Sequence, residues 1–259
     1  MNLLEAIILG LIQGLTEFLP VSSSGHLEIA KSLFGVDPDA SFYFTVAVHG
    51  ATVLSTILVF RQEILRLIRG SLKFQMNEET SYILKIIVSM IPVGIAGILL
   101  KEPIENLFNG NLVFVGFMLL ITAAILAAAH FMKKGERSIG FKDAFIIGIA
   151  QAIAVIPGIS RSGSTIATGL MIGNRKDEIA GFSFLMVLVP VIGANILEIF
   201  SGDVRIGNTG WGIIFAGFIS AFISGYFACR WMITLVRKSK LIWFSLYCVA
   251  VGLLSILIG

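Results

Sequence analysis

The chain has 259 residues, of which 56% are hydrophobic and only 14% charged, against roughly 25% charged in an ordinary soluble domain. Nineteen Lys and Arg against sixteen Asp and Glu leave a net charge of +3, too small for a polyanion-binding footprint. With a mean hydropathy of +0.93, this balance excludes a soluble enzyme, a disordered chain and a nucleic-acid binder, and predicts an integral membrane protein. Cys229 and Cys248 both lie in apolar runs and offer neither a disulfide framework nor zinc spacing. No Lys or Arg precedes Lys31, so a secretory signal peptide is not expected.

In chain order, the first apolar stretch is Leu3–Phe18. It stops at Pro20 and a Ser-Ser-Ser-Gly run and resumes only from His26 to Phe34. Three full spans follow at Phe42–Phe60, Tyr82–Leu100 and Leu112–Met132, each near the ~20 residues needed to cross the hydrocarbon core. Ala144–Ile156 is short again, stopping at Pro157-Gly158 and Ser160-Arg161-Ser162-Gly163 before resuming to Ile172. The last spans are Ile179–Phe200, Trp211–Val236 and Leu241–Ile258. Each piece of the two interrupted segments is too short to cross a bilayer at 1.5 Å per residue. Proline removes an amide donor and glycine tolerates unusual dihedrals, so both segments read as re-entrant helical hairpins. A broken backbone at that depth is tolerated only inside protein or beside a wet cavity.

The interrupted segments also match each other. Shifted by 138 positions, Ala6, Ile8, Gly10 and Gln13 fall on Ala144, Ile146, Gly148 and Gln151, and Ser22, Ser24 and Gly25 fall on Ser160, Ser162 and Gly163. The expected fold is an all-α polytopic membrane protein, with six transmembrane helices and two re-entrant hairpins. Its single membrane domain divides into repeats 1–132 (hairpin 3–34 plus three spans) and 141–259 (hairpin 143–172 plus three spans). Three spans being odd, the second repeat is inverted, which places a site at the midplane. On this layout fifteen cations, in segments 61–85, 133–142, 175–176 and 230–240, share one face. Lys31, Lys101 and Arg205 lie on the other, leaving Arg161 between them. The positive-inside rule then puts the fifteen in the cytoplasm and both termini outside.

Ionisable groups inside a membrane are costly and are functional candidates. Glu17, His26 and Arg161 all lie at the two breaks, where the repeat brings them together. Arg161 offers a planar fork for two phosphate oxygens, flanked by Ser160, Ser162, Gly163 and Thr165. Ser22-Ser23-Ser24-Gly25 begins the matching half-helix, so two helix amino termini converge on one anion site. A carboxylate repels phosphate, and a divalent cation bridging Glu17 to it resolves that conflict. His26 can exchange a proton near neutral pH. The plainer alternatives are that the serines only cap helices and that Arg161 only pairs with Glu17. His49, in mid-span, reads as a packing or hydrogen-bonding residue.

The run Gln13-Gly14-Leu15-Thr16-Glu17-Phe18-Leu19-Pro20-Val21-Ser22-Ser23-Ser24-Gly25-His26 closely resembles the first signature of the undecaprenyl-diphosphate phosphatases. Pro157-Gly158-Ile159-Ser160-Arg161-Ser162-Gly163-Ser164-Thr165 resembles their second, and the resemblance covers essentially the whole chain. It implies a bacterial inner-membrane enzyme that converts undecaprenyl diphosphate to the monophosphate carrier of peptidoglycan synthesis, linked to bacitracin resistance. It also implies Mg2+ or Ca2+ as cofactor and an active site facing the periplasm. The first acidic place of the signature takes Glu or Gln and is Gln13 here, so Gln13 and Glu17 are the expected metal ligands. Ser23 is the expected nucleophile or water-positioning hydroxyl with His26 as proton acceptor, and direct attack by His26 is the variant. The expected partners are the polyprenyl diphosphate and membrane lipid, no nucleic acid, and an assembly compatible with a homodimer. The rival class is a lipid flippase or transporter without hydrolysis, which shares the repeat construction but has no need of Ser23 and His26.

Overall fold

The computed structural model describes residues 1–36, 42–107, 110–132, 135–200, 210–237 and 240–259. Four cations used in the sidedness argument, Lys133, Lys134, Arg205 and Lys238, lie outside them. Twelve helices are described: α1 (Leu3–Phe18), α2 (Ser23–Phe34), α3 (Phe42–Val59), α4 (Arg61–Ser71), α5 (Glu78–Leu99), α6 (Lys101–Glu105), α7 (Leu112–Phe131), α8 (Phe141–Ile153), α9 (Arg161–Met171), α10 (Lys176–Phe200), α11 (Trp211–Arg237) and α12 (Leu241–Ile258). No strand occurs among the described residues, where Arg137 and Asn174 form one isolated bridge.

Five helices are long and apolar enough to cross a membrane: α5, α7, α10, α11 and α12. A sixth crossing is counted when α3 is joined to α4, which leaves it at an angle of 73°. The protein is therefore an all-helical, multi-pass membrane protein with five to six candidate spans. Its outward faces agree with a lipid surround. Ile87, Ile91, Ile95 and Ile98 line one exposed stripe of α5, and Phe215, Ile219, Ile223 and Phe227 line another on α11. Both stripes follow helical spacing, which in water would leave them without a partner.

Local chemistry sets where the short helices begin and end. In α1, Asn2 and Glu5 form a reciprocal capping box. The helix ends at Leu19, whose extended backbone is what a following proline favours. The first turn of α8 is closed from one side only, by Asp143, which accepts from Gly140 N–H at 2.9 Å. Ser22 caps α2 by accepting from Gly25 N–H, and Ser160 caps α9 by accepting from Gly163 N–H. Ser22 holds φ at 71°, a left-handed conformation that costs a non-glycine residue of order 1–3 kcal/mol.

Helix pairing then places these hairpins inside the bundle. The first limb, α1, packs on α11, and the first limb of the second hairpin, α8, packs on α5. Glycines at equivalent places permit both approaches. A Cβ at Gly10 would overlap the Gly217 carbonyl oxygen, and one at Gly148 would overlap that of Ser89. The main core lies among α7, α8, α9, α10, α11 and α12, around Leu126, Ile147, Ile166, Phe182 and Met232. A second cluster joins α1, α2, α3 and α11 around Leu9, Phe44 and Val48.

Candidate active site

The two broken backbones meet. A Cβ on Gly25 would stand 3.1 Å from the Gly158 Cα. Ser162 Oγ donates to the Leu19 carbonyl oxygen at 3.2 Å, tying the start of α9 to the end of α1. Gly158 itself needs glycine, with φ at 93° and a would-be Cβ only 2.7 Å from the Val115 carbonyl oxygen. Thr122 on α7 fixes this turn by donating to Gly158 O at 3.0 Å and accepting from Ser160 N–H at 3.1 Å. These contacts set the second break against the first without relying on either hairpin alone.

Glu17 is the centre of the cluster. Its Oε1 accepts from Arg161 Nη2 at 2.9 Å, and its Oε2 accepts from Ser23 Oγ at 2.6 Å and from Gln13 Nε2 at 2.9 Å. Gln13 and Glu17 meet because they are four apart on one helix face. Arg161 arrives from 144 positions away. The carboxylate side chain is 9% exposed and the guanidinium side chain 27%. Removing charges from water is costly, and mutual attraction with added hydrogen bonds offsets that cost. Only Nη2 of Arg161 is engaged by a side chain among the described residues. The same guanidinium lines a cavity of about 30 Å³ with Glu17, Ser162, Thr52, Thr56 and apolar groups of α10.

His26 is held separately. Its Nδ1 is 2.8 Å from the Ser22 carbonyl oxygen and its Nε2 is 2.9 Å from Tyr247 Oη. A carbonyl only accepts, so Nδ1 carries hydrogen and Nε2 in the neutral ring accepts from the tyrosine. The two rings stack with centroids 5.5 Å apart and planes at 6°.

Of the residues singled out in the sequence, Gln13, Glu17, Ser23 and Arg161 form one connected hydrogen-bond network. Ser22 and Ser160 act as caps, with Ser24 and Ser162 hydroxyls 3.3 Å and 3.4 Å from them respectively. Gly25 and Gly163 lie where the two hairpins approach. Thr165 donates to the Arg161 carbonyl oxygen at 2.8 Å and bonds to Ser183, inside the bundle rather than along the cavity. His26 makes no hydrogen bond to Glu17 or Ser23 among the described residues. His49 hydrogen-bonds within its own helix, Nδ1 to Thr45 O at 2.9 Å.

Thr52, Thr56 and Tyr247 join these residues only in the structure. The two threonines stand four apart on α3, and with His49 they form a polar stripe in an apolar span, a signal present in the sequence. Tyr247 has no such signal. It reaches His26 only because α12 packs on α7, beside α2.

These features define a polytopic membrane protein in which two hairpin tips enclose a carboxylate, a hydroxyl and an arginine. The chain belongs to the family described as bacitracin resistance protein BacA, whose model matches residues 6–254. It is similar to the undecaprenyl-diphosphatase of Christiangramia forsetii, 52% identical over 259 residues, covering 99% of this chain and 98% of the relative. The Bacteroides fragilis protein of the same name is 50% identical over 263 residues, covering 100% and 99%. That of Methanosphaera stadtmanae is 38% identical over 277 residues, again covering 100% and 99%.

Proposed function

We propose that the chain is an undecaprenyl-diphosphatase, hydrolysing undecaprenyl diphosphate to undecaprenyl phosphate and inorganic phosphate. Full-length likeness to relatives of that name supports the substrate. One observation carries the chemistry: a single carboxylate, Glu17, has Arg161 on one oxygen and the Ser23 hydroxyl on the other. Arginine binds phosphate, and a hydroxyl donating to a carboxylate is a nucleophile with its proton acceptor in place.

A terminal phosphate binds the Arg161 nitrogens that Glu17 leaves free. Ser23 Oγ attacks the terminal phosphorus and its proton passes to Glu17 Oε2. The bond from that phosphorus to the bridging oxygen breaks, and undecaprenyl phosphate leaves with the electron pair. Water then attacks the serine phosphoester and passes a proton through the Tyr247 hydroxyl, whose own hydrogen goes to His26 Nε2, while Ser23 Oγ recovers its proton from Glu17. Phosphoryl transfer depends mainly on such positioning and on charge neutralisation.

A divalent cation fits beside Glu17. Gln13 Oε1 is buried without a hydrogen-bond partner, and hard cations take oxygen ligands. Gln13 and Glu17 would hold the ion, which when bound neutralises charge on the phosphate oxygens. No group of three His, Cys, Asp or Glu side chains suited to a metal occurs among the described residues.

The inverted repeat with six spans fits the reciprocal packing of α1 on α11 and α8 on α5. It also fits the first-turn carboxylates Glu5 and Asp143 and the caps Ser22 and Ser160, each pair 138 positions apart. The cation distribution supports a reading in which both termini and the active site lie on the outer side of a bacterial inner membrane. Trapping the phosphoenzyme tests the reaction. Wild-type protein given terminally labelled substrate should carry an acid-stable phosphoserine that Ser23→Ala lacks. An acid-labile phosphohistidine would assign the attack to His26, and turnover without any phosphoenzyme would assign it to water.

A further inference from the structure

The helix α4 has three distinct faces. At 100° per residue, Leu65, Ile68 and Leu72 fall within about 60° of each other, and Arg66, Arg69 and Lys73 within another sector of about 60°. The two sectors are centred about 100° apart, and Leu67 and Gly70 lie on the remaining side. The last two are buried against the protein, whereas the apolar stripe is open, at 48% for Leu65, 48% for Ile68 and 63% for Leu72. Leu72 keeps a helical backbone and Lys73 N–H bonds to Gly70 O, so both continue the turn just past the last helical residue.

The axis of α4 is turned 73° from α3. A helix so steeply turned from a crossing helix lies near the membrane plane. Its cations would not sit in hydrocarbon, so α3 does the crossing and α4 rests at the boundary. There the apolar stripe meets acyl chains while the cationic stripe, one quarter-turn away, reaches the headgroup level. Arg66, Arg69 and Lys73 also line a cleft closed on its far side by Glu79 of α5. Arg66 is paired with Glu63 at 2.6 Å, while Arg69 and Lys73 have no carboxylate partner among the described residues.

We propose that this cleft and the stripe beside it form a binding site for the phosphate headgroup of an anionic phospholipid. The occupant has acyl chains because the exposed apolar stripe continues the surface of the cleft, and it has a negative headgroup because the cations outnumber the carboxylates. The site stands apart from the Glu17–Arg161 cluster and uses none of its residues.

The test uses the purified full chain in nanodiscs of mixed phosphatidylglycerol and phosphatidylcholine, followed by native mass spectrometry of retained lipid. Wild-type protein should retain phosphatidylglycerol preferentially, and that preference should fall as salt rises. The triple variant Arg66→Gln, Arg69→Gln, Lys73→Gln should lose about fivefold in retention for each cation removed, with phosphate release in detergent unchanged. The charge-preserving variant Arg66→Lys, Arg69→Lys should keep the preference. Equal retention of phosphatidylglycerol by wild type and triple variant overturns the proposal. So does a wild-type preference that salt leaves intact, a result that needs no variant to fold.

Discussion

Arg161 Nη2 and Glu17 Oε1 are 2.9 Å apart although 144 positions separate them in the chain. The pair joins the two hairpins at their breaks, and it presents the arginine to the cavity as well as to the carboxylate. Arg161→Lys keeps the charge but loses the fork, and Arg161→Ala loses both. Phosphate release by purified protein should fall about 10²-fold in the first and about 10³-fold in the second, in line with loss of one charge-stabilising group. Arg161→Lys leaves the buried Glu17 its counter-ion, whereas Arg161→Ala leaves that carboxylate unpaired and should lower the melting temperature as well. Turnover of Arg161→Ala close to wild type would remove the arginine from the site.

Two serines on α2 and α9 separate catalysis from capping. Ser23 donates to Glu17, whereas Ser160 accepts from the Gly163 amide. Ser23→Ala should lower phosphate release by at least about 10²-fold with little change in melting temperature. Ser160→Ala should cost about 1 kcal/mol of stability through loss of the cap. Thermal unfolding and phosphate release, measured on both, should show opposite patterns. Ser22 adds a third case. Its φ of 71° suits glycine, so Ser22→Gly should be near neutral in stability while Ser22→Ala is destabilising.

Tyr247 acts on His26 rather than on substrate. Tyr247→Phe keeps the stacked ring and removes the O–H from Nε2. The expected result is a kcat lower by about tenfold with KM nearly unchanged, the size of one neutral hydrogen bond. The ¹⁵N resonance of His26 Nε2 should move as well, which a purely structural tyrosine would not cause. An unmoved resonance would sever Tyr247 from the histidine.

The sequence made the hairpins legible because proline, glycine and serine interrupt otherwise apolar runs at places 138 apart. The limits Leu3–Phe18 and Leu241–Ile258 agree with α1 and α12. Other ends differ by a few residues where polar groups extend the helix, as at Glu78 of α5 and Lys176 of α10. Hydropathy stops there, but capping and charge near the amino terminus continue the turn. The helix α4 has no span-like run, because cations stand between its apolar residues in a threefold pattern. Glu17, His26 and Arg161 were legible as ionisable groups at breaks in apolar runs, and Ser23 through the resemblance of its motif. The hydrogen-bond pairing of His26 with Tyr247 was not, since it comes from tertiary packing of α12.

Asp143 gives a stability prediction at the other end of the second hairpin. It lies in the first turn of α8, outside the five long spans. Oδ2 accepts from Gly140 N–H at 2.9 Å and Asn174 Nδ2 at 3.1 Å, and Oδ1 from Arg137 at 2.8 Å. Burial pushes its carboxyl up, but these donors together hold it below the usual value of 3.8. Since Arg137 is 64% exposed, that ion pair contributes little, and the amide donors dominate. A lowered carboxyl means the unfolded chain binds more protons, so this stabilisation is complete above about pH 4 and declines as pH falls through the lower folded value. Asp143→Ala should leave the fully buried Asn174 amide without its acceptor, costing about 1–3 kcal/mol at neutral pH. The gap in melting temperature between wild type and variant should narrow as pH falls below 4. A gap that stays constant through that range would mean the carboxylate charge plays no part in closing the turn.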